Sequence, residues 1–100
     1  MNDGCEDTKF LLRTGDQLAR NGRISDAIQC YERAAERLMA ADSILKAVAV
    51  SKQIVVLIDA HHPEVLSQHK HIWLRLAEGY ERLGLVVEAK QARKRYGEIG

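Results

Sequence analysis

A run of fifteen residues from Ile44 to Ile58, ILKAVAVSKQIVVLI, sets the tightest limit on how this chain folds. Eleven of the fifteen are apolar, and the polar members Lys46, Ser51, Lys52 and Gln53 do not gather into a full face. A helix that is apolar nearly all round has to be covered on more than one side. The run is too short to span a membrane and carries two lysines, so its cover must be protein. It reads as the inner member of a helical stack, with the segments before and after it as covers. Buried in this way, the run is expected to bind nothing directly.

Those segments read as helices in turn. A first helix over about Thr8 to Arg20 places Leu11, Gly15 and Leu18 on one stripe, with Leu12 and Ala19 beside it and Phe10 near the end of the core. Asn21-Gly22 stops it, because these residues tolerate the left-handed backbone of a helix end. Ser25 is the expected cap of a second helix, whose inner face is Ala27, Ile28, Tyr31, Ala34, Ala35, Leu38 and Met39. Gln29, Glu32, Arg33, Glu36 and Arg37 form its solvated side, and Asp42-Ser43 marks the next turn. After the apolar run, Pro63 suits the first position of a fourth helix and Glu64 complements its dipole. That helix is expected to continue to about Leu83, with Leu66, His69, Trp73, Leu76, Ala77 and Tyr80 on one face and Gly84 closing it. A fifth helix, about Val86 to Tyr96, turns Val86, Ala89, Ala92 or Arg93, and Tyr96 inward. Its polar remainder suits the uncovered end of a stack. Val55-Val56 show no strand alternation. The expectation is an all-α domain of about five antiparallel helices over residues 8–97, preceded by a disordered leader, 1–7.

Composition narrows the function classes. One hundred residues, 46% of them apolar, make one domain. Fifteen basic and fourteen acidic residues give no bias toward nucleic acid or membrane surfaces. Cys5 and Cys30 make no disulfide framework, and the opening MNDGCEDTK lacks the features of a signal peptide. A cytoplasmic protein without membrane insertion is expected, with no lipidation at Cys5. Ser25, Ser43, Ser51 and Ser67 lack a nucleophile-elbow context, neither cysteine has a base beside it, and there is no phosphate-binding glycine loop. No catalytic residue and no cofactor are expected.

Two clusters remain. His61, His62, His69 and His71 lie close in sequence, but on a continuous helix His69 and His71 point about 200° apart. They read as turn and surface residues rather than metal ligands. Lys90, Arg93, Lys94 and Arg95, beside Tyr96, have the composition of a phosphate-binding patch. Glu88 and Glu98 flank them, and cations near a helix C-terminus are favourable without any ligand. No nucleic acid is expected, and a nucleic-acid accessory role is the lesser alternative.

An internal repeat then appears. Gly22, Asp42 and Gly84 each stand five positions before an alanine, namely Ala27, Ala47 and Ala89, where antiparallel helices approach closely. From Trp73 the chain reads W-x2-L-A-x2-Y, followed by Leu83-Gly84 and Ala89. This resembles the tetratricopeptide repeat family, whose pattern is W-x2-L-G-x2-Y followed by A-x3-F over about 34 residues. Leu11, Thr14, Gly15 and Leu18 stand at the same places in a first unit, with Gly22, Ala27, Tyr31 and Ala34 after them. The resemblance covers about residues 8–97, and LKAVAVSKQIVVLIDAHHPEV looks like a diverged copy of the texture of bacterial multi-repeat members. The chain departs from the pattern in its spacing, since the repeated alanines at 27, 47 and 89 do not recur every 34 residues. Of Tyr31, Ser51 and Arg93, only the first is the large apolar residue expected of the second helix, and Asp59-Ala60 replaces Asp-Pro.

The resemblance implies a right-handed superhelical stack and a groove that holds a partner's peptide or helix. Carried over, the groove residues are Lys9, Leu12, Asp16, Ala19 and Arg20 in the first unit, and His71, Leu74, Arg75, Glu78 and Arg82 in the last. Trp73 and Tyr80 fall on the family's packing positions. The carboxylate clamp of some members is not expected, because Leu12 and Asp16 stand where Lys and Asn are needed and only Arg75 matches. The implied function is a non-enzymatic protein–protein adaptor or scaffold. The alternative is an oligomerisation or assembly subunit, a homo-oligomer included, that uses Leu85, Val86 and Val87.

Overall fold

The computed structural model describes the backbone over residues 3–61 and 63–99, and side chains for 8–61, 63, 65 and 68–99. The readings of Met1, Asn2 and His62, and of the side chains of Cys5, Glu64, Leu66 and Ser67, lie outside the described residues. Five α-helices follow one another: α1 (Asp3–Arg20), α2 (Ile24–Ala40), α3 (Ile44–His61), α4 (His71–Arg82) and α5 (Val86–Glu98). A 3-10 segment, Pro63–His69, lies between α3 and α4, and no strand occurs among the described residues. Consecutive helices pack on one another in a flat body of 34 × 33 × 15 Å.

The repeat seen in the sequence is a repeated joint. Gly22, Asp42 and Gly84 hold φ of 81°, 63° and 78°. After each, the next N–H reaches back five residues: Arg23 to the Leu18 carbonyl (2.9 Å), Ser43 to Leu38 (2.8 Å) and Leu85 to Tyr80 (2.8 Å). These are three copies of the Schellman closure, which satisfies carbonyls that a helix end leaves open. Each joint runs straight into the next helix, where Ala27, Ala47 and Ala89 donate to the residue four before them at 3.0 Å. All three alanines are buried, because the incoming and outgoing helices meet there. This geometry also corrects the expected cap: α2 begins at Ile24, before Ser25, with no side-chain cap at Arg23.

Helix α3 is covered on two sides, by α2 on one and by α4 with the 3-10 segment on the other. Ile44, Ala47, Val48, Ser51, Ile54, Leu57 and Ile58 are buried, and the Ser51 hydroxyl has no hydrogen-bond partner there. A third side is open, where Leu45 and Val56 are 70% and 58% exposed. The inner faces of α2 and α4 follow the periodicity, with Ala27, Ile28, Tyr31, Ala34, Ala35 and Leu38 buried on one and Ile72, Leu76 and Ala77 on the other. Trp73 and Tyr80 are half-buried against this core.

Two boundaries differ from the sequence reading. Helix α1 starts at Asp3, about a turn before Thr8; no proline precedes Thr8 to stop it. The fourth helix is not continuous from Pro63. Residues 63–69 are 3-10, and the Trp73 N–H bonds the Lys70 carbonyl three residues back (2.9 Å), so α4 starts afresh after Lys70. A 3-10 segment turns once every three residues, which shifts the register of the side chains that follow.

Helices α3 and α4 meet tightly at Gly79. A Cβ there would stand 2.5 Å from Val48 Cγ2. In a free helix Gly→Ala gains about 1 kcal/mol, but overpacking at this contact costs about 1–3 kcal/mol. Gly79→Ala is therefore expected to lower stability in urea titrations, and Val48→Ala in the same chain to recover part of the loss. Gly97→Ala, where a Cβ meets open space, is expected to be neutral or stabilising.

Candidate docking surface

Alternate helices leave clefts between them. The first lies between α1 and α3, with the end of α2 as its floor. Thr8, Lys9 and Leu12 come from α1, Arg37 and Leu38 from α2, Ala41 and Ser43 from the joint, and Lys46, Ala49 and Val50 from α3. Its volume is about 520 Å³, and among the described residues three cations but no acidic side chain line it. Lys46, Ala49 and Val50 share one side of α3 because residues three and four apart do so. Part of the apolar run thus forms one wall of the cleft, although the run was expected to bind nothing directly.

A second cleft lies between α2 and α4. Glu36, Met39 and Ala40 face His71, Leu74, Arg75, Glu78 and Arg82 across about 470 Å³. Much of its charge is internally paired: Arg75 meets Glu36 at 3.5 Å, and Arg82 meets Glu78 at 2.9 Å and Asp42 at 3.7 Å.

The residues carried over from the family therefore divide. Lys9 and Leu12 line the first cleft, whereas His71, Leu74, Arg75, Glu78 and Arg82 all line the second. Among the described residues the two clefts share none. Asp16 accepts a hydrogen bond from the Tyr31 hydroxyl, which directs it toward α2. Arg20 donates to Gln17 at 3.5 Å, and Ala19 packs against the core. Sequence reasoning missed Lys46, Ala49 and Val50, although Lys46, Lys52 and Gln53 mark the uncovered side of α3.

The histidines also sit differently from the sequence reading. His69 and His71 straddle the break at Lys70 rather than sharing one helix, so the angle between them is not that of a continuous helix. His69 Nδ1 is 3.0 Å and His71 Nε2 3.2 Å from the same Glu32 oxygen, which ties the 3-10 segment and α4 to α2. No group of three or more His, Cys, Asp or Glu is placed to hold a metal ion among the described residues. In the basic C-terminal run, Arg93 forks onto Glu81 (2.8–3.1 Å), and Arg95 lies 5.2 Å from the Trp73 ring centroid. No described helix is long and apolar enough to cross a membrane.

Tyr31 braces the α1 side of this arrangement. Its ring lies against Gly15, where an added Cβ would be 2.9 Å from Cε1, and its hydroxyl donates to Asp16. Burial, then the bond to Asp16, pushes its ionisation well above the ordinary tyrosine range. The folded state thus holds the phenol neutral after the unfolded chain has begun to ionise. Its contribution is full below about pH 10 and is lost as pH rises beyond that. Tyr31→Phe is expected to cost about 0.5–1.5 kcal/mol at neutral pH. It is also expected to flatten the alkaline fall in stability, which denaturant titrations from neutral to alkaline pH measure.

No protein-family model, curated protein or solved structure matches the chain.

Proposed function

We propose that this chain is a non-enzymatic adaptor that holds a peptide or helix of another protein in the cleft between α1 and α3. The observation that carries the reading is the make-up of that cleft: Leu12, Leu38, Ala49 and Val50 beside Lys9 and Lys46, with no acid among the described lining residues. An apolar floor supplies the binding energy, and charges of one sign select the partner. Walls fixed by packed helices lose little freedom on binding. The partner is a segment with apolar anchors flanked by carboxylates.

A right-handed tetratricopeptide-like stack is the arrangement proposed for these helices. Its support is the repeated joint at Gly22, Asp42 and Gly84, the buried alanines after it, and the lengthwise cleft between alternate helices. The proposed location is the cytoplasm, in keeping with the free thiol of Cys30. The nucleic-acid reading is weaker than the sequence suggested, because Arg93 is engaged by Glu81 and Arg95 by Trp73. An assembly role retains one specific observation, the exposed Leu83, Leu85, Val86 and Val87.

The test compares two double variants as baits in extract from the source cell. A partner held by the unaltered chain is expected to be lost with Lys9→Glu/Lys46→Glu and retained with Glu78→Ala/Arg82→Ala. The reverse pattern would move the site to the α2–α4 cleft. Equal capture by both would contradict a groove on either side.

A further inference from the structure

The turn between α4 and α5 is an apolar projection that the fold does not cover. Leu83, Leu85, Val86 and Val87 are all exposed there, the two valines by 61% and 64%. The Schellman closure at Gly84 fixes the turn, so its side chains are presented on a rigid corner. Nearby charges are mostly engaged: Arg82 by Glu78, and Glu81 by Arg93. Glu88, the first charged residue after the turn, makes no ion pair among the described residues, and neither do Lys9 and Lys46 of the α1–α3 cleft.

Among the described residues, one molecule therefore carries an apolar projection beside an anion in no ion pair, Glu88, and an apolar cleft beside two cations in no ion pair, Lys9 and Lys46. The cleft volume of about 520 Å³ is of the size that receives several aliphatic side chains. We propose that the α4–α5 turn of one copy docks in the α1–α3 cleft of a second copy, with Glu88 directed at Lys9 and Lys46. The two surfaces share no residue, so the contact is heterologous. Each added copy leaves one turn and one cleft open, and the assembly grows head to tail until it closes or is capped. This inference rests on the cleft being a docking surface, as proposed above, and names its occupant.

Sedimentation velocity over a concentration series, with mixing of variants, is the test. The unaltered chain is expected to gain mass with concentration and to lose the gain in high salt. Val86→Asp/Val87→Asp breaks the projection, and Lys46→Glu/Ala49→Glu breaks the cleft. Each is expected to weaken self-association by about 30-fold, the scale of an interface hot spot. An equimolar mixture of the two is expected to form a 1:1 dimer and stop there, because one chain keeps an intact cleft and the other an intact projection. All four positions are exposed, and thermal melts are the check that the variants fold. Should a carboxylate unfold either one, Val87→Ser and Ala49→Gln carry the same test. Folded variants that fail to complement each other would overturn the inference, as would an unaltered chain that stays monomeric throughout. If the chain stays monomeric but loses its captured partner on Lys9→Glu/Lys46→Glu, the adaptor reading stands and only the self-docking fails.

Discussion

Val48 of α3 fills the space that Gly79 leaves open on α4, and the rest of the structure depends on this close packing of α3. A helix with eleven apolar residues in fifteen cannot stand in water, so it recruits α2 on one side and α4 on the other. Burying each large aliphatic side chain stabilises by roughly 1.5–3 kcal/mol. The ion pairs between α2 and α4 are partly exposed, and such pairs contribute about 0–1 kcal/mol each. Apolar packing on α3 therefore holds the stack together. Pairs such as Arg75–Glu36 and the two histidines on Glu32 act mainly on the orientation of α4.

The same helix explains why the two clefts differ. Beside the α2–α4 cleft, Arg75 pairs with Glu36 across it and Arg82 with Glu78 and Asp42, so a ligand there would have to displace existing partners. Between α1 and α3 the walls are short or aliphatic side chains with lysines at the rim, and no acid lines the cleft among the described residues. The joints at Gly22, Asp42 and Gly84 fix where each helix starts, and the buried alanines after them fix how closely it approaches. A cleft made in this way is formed before anything enters it.

Much of the fold was legible because it depends on local patterns. The steps of three and four in α2 named its buried face from Ala27 to Leu38 correctly. The spacing from Gly22, Asp42 and Gly84 to the alanines marked real joints even though their intervals are irregular. The break at Lys70 was not legible, because a 3-10 segment and an α-helix share similar residue preferences, and contacts of His69 and His71 with Glu32 are long-range. The split of the family-derived groove residues between two clefts was hidden for a similar reason. Which helices face one another is a property of the stack, and periodicity along one helix does not encode it. The open side of α3 was half visible: Lys46, Lys52 and Gln53 mark it, but Leu45 and Val56 beside them looked like core.

Native-state hydrogen exchange tests the central position of α3 most directly. Amides of α3 from Val48 to Ile58, buried between two covers, are expected to exchange only through global unfolding. Those of α5, whose buried side chains are Ala89 and Ala92, are expected to open at a clearly lower free energy. If α3 instead exchanged through a local opening while α1 and α2 or α4 and α5 stayed protected, the stack would not be organised around α3. The cleft built on that helix would then lose its fixed wall.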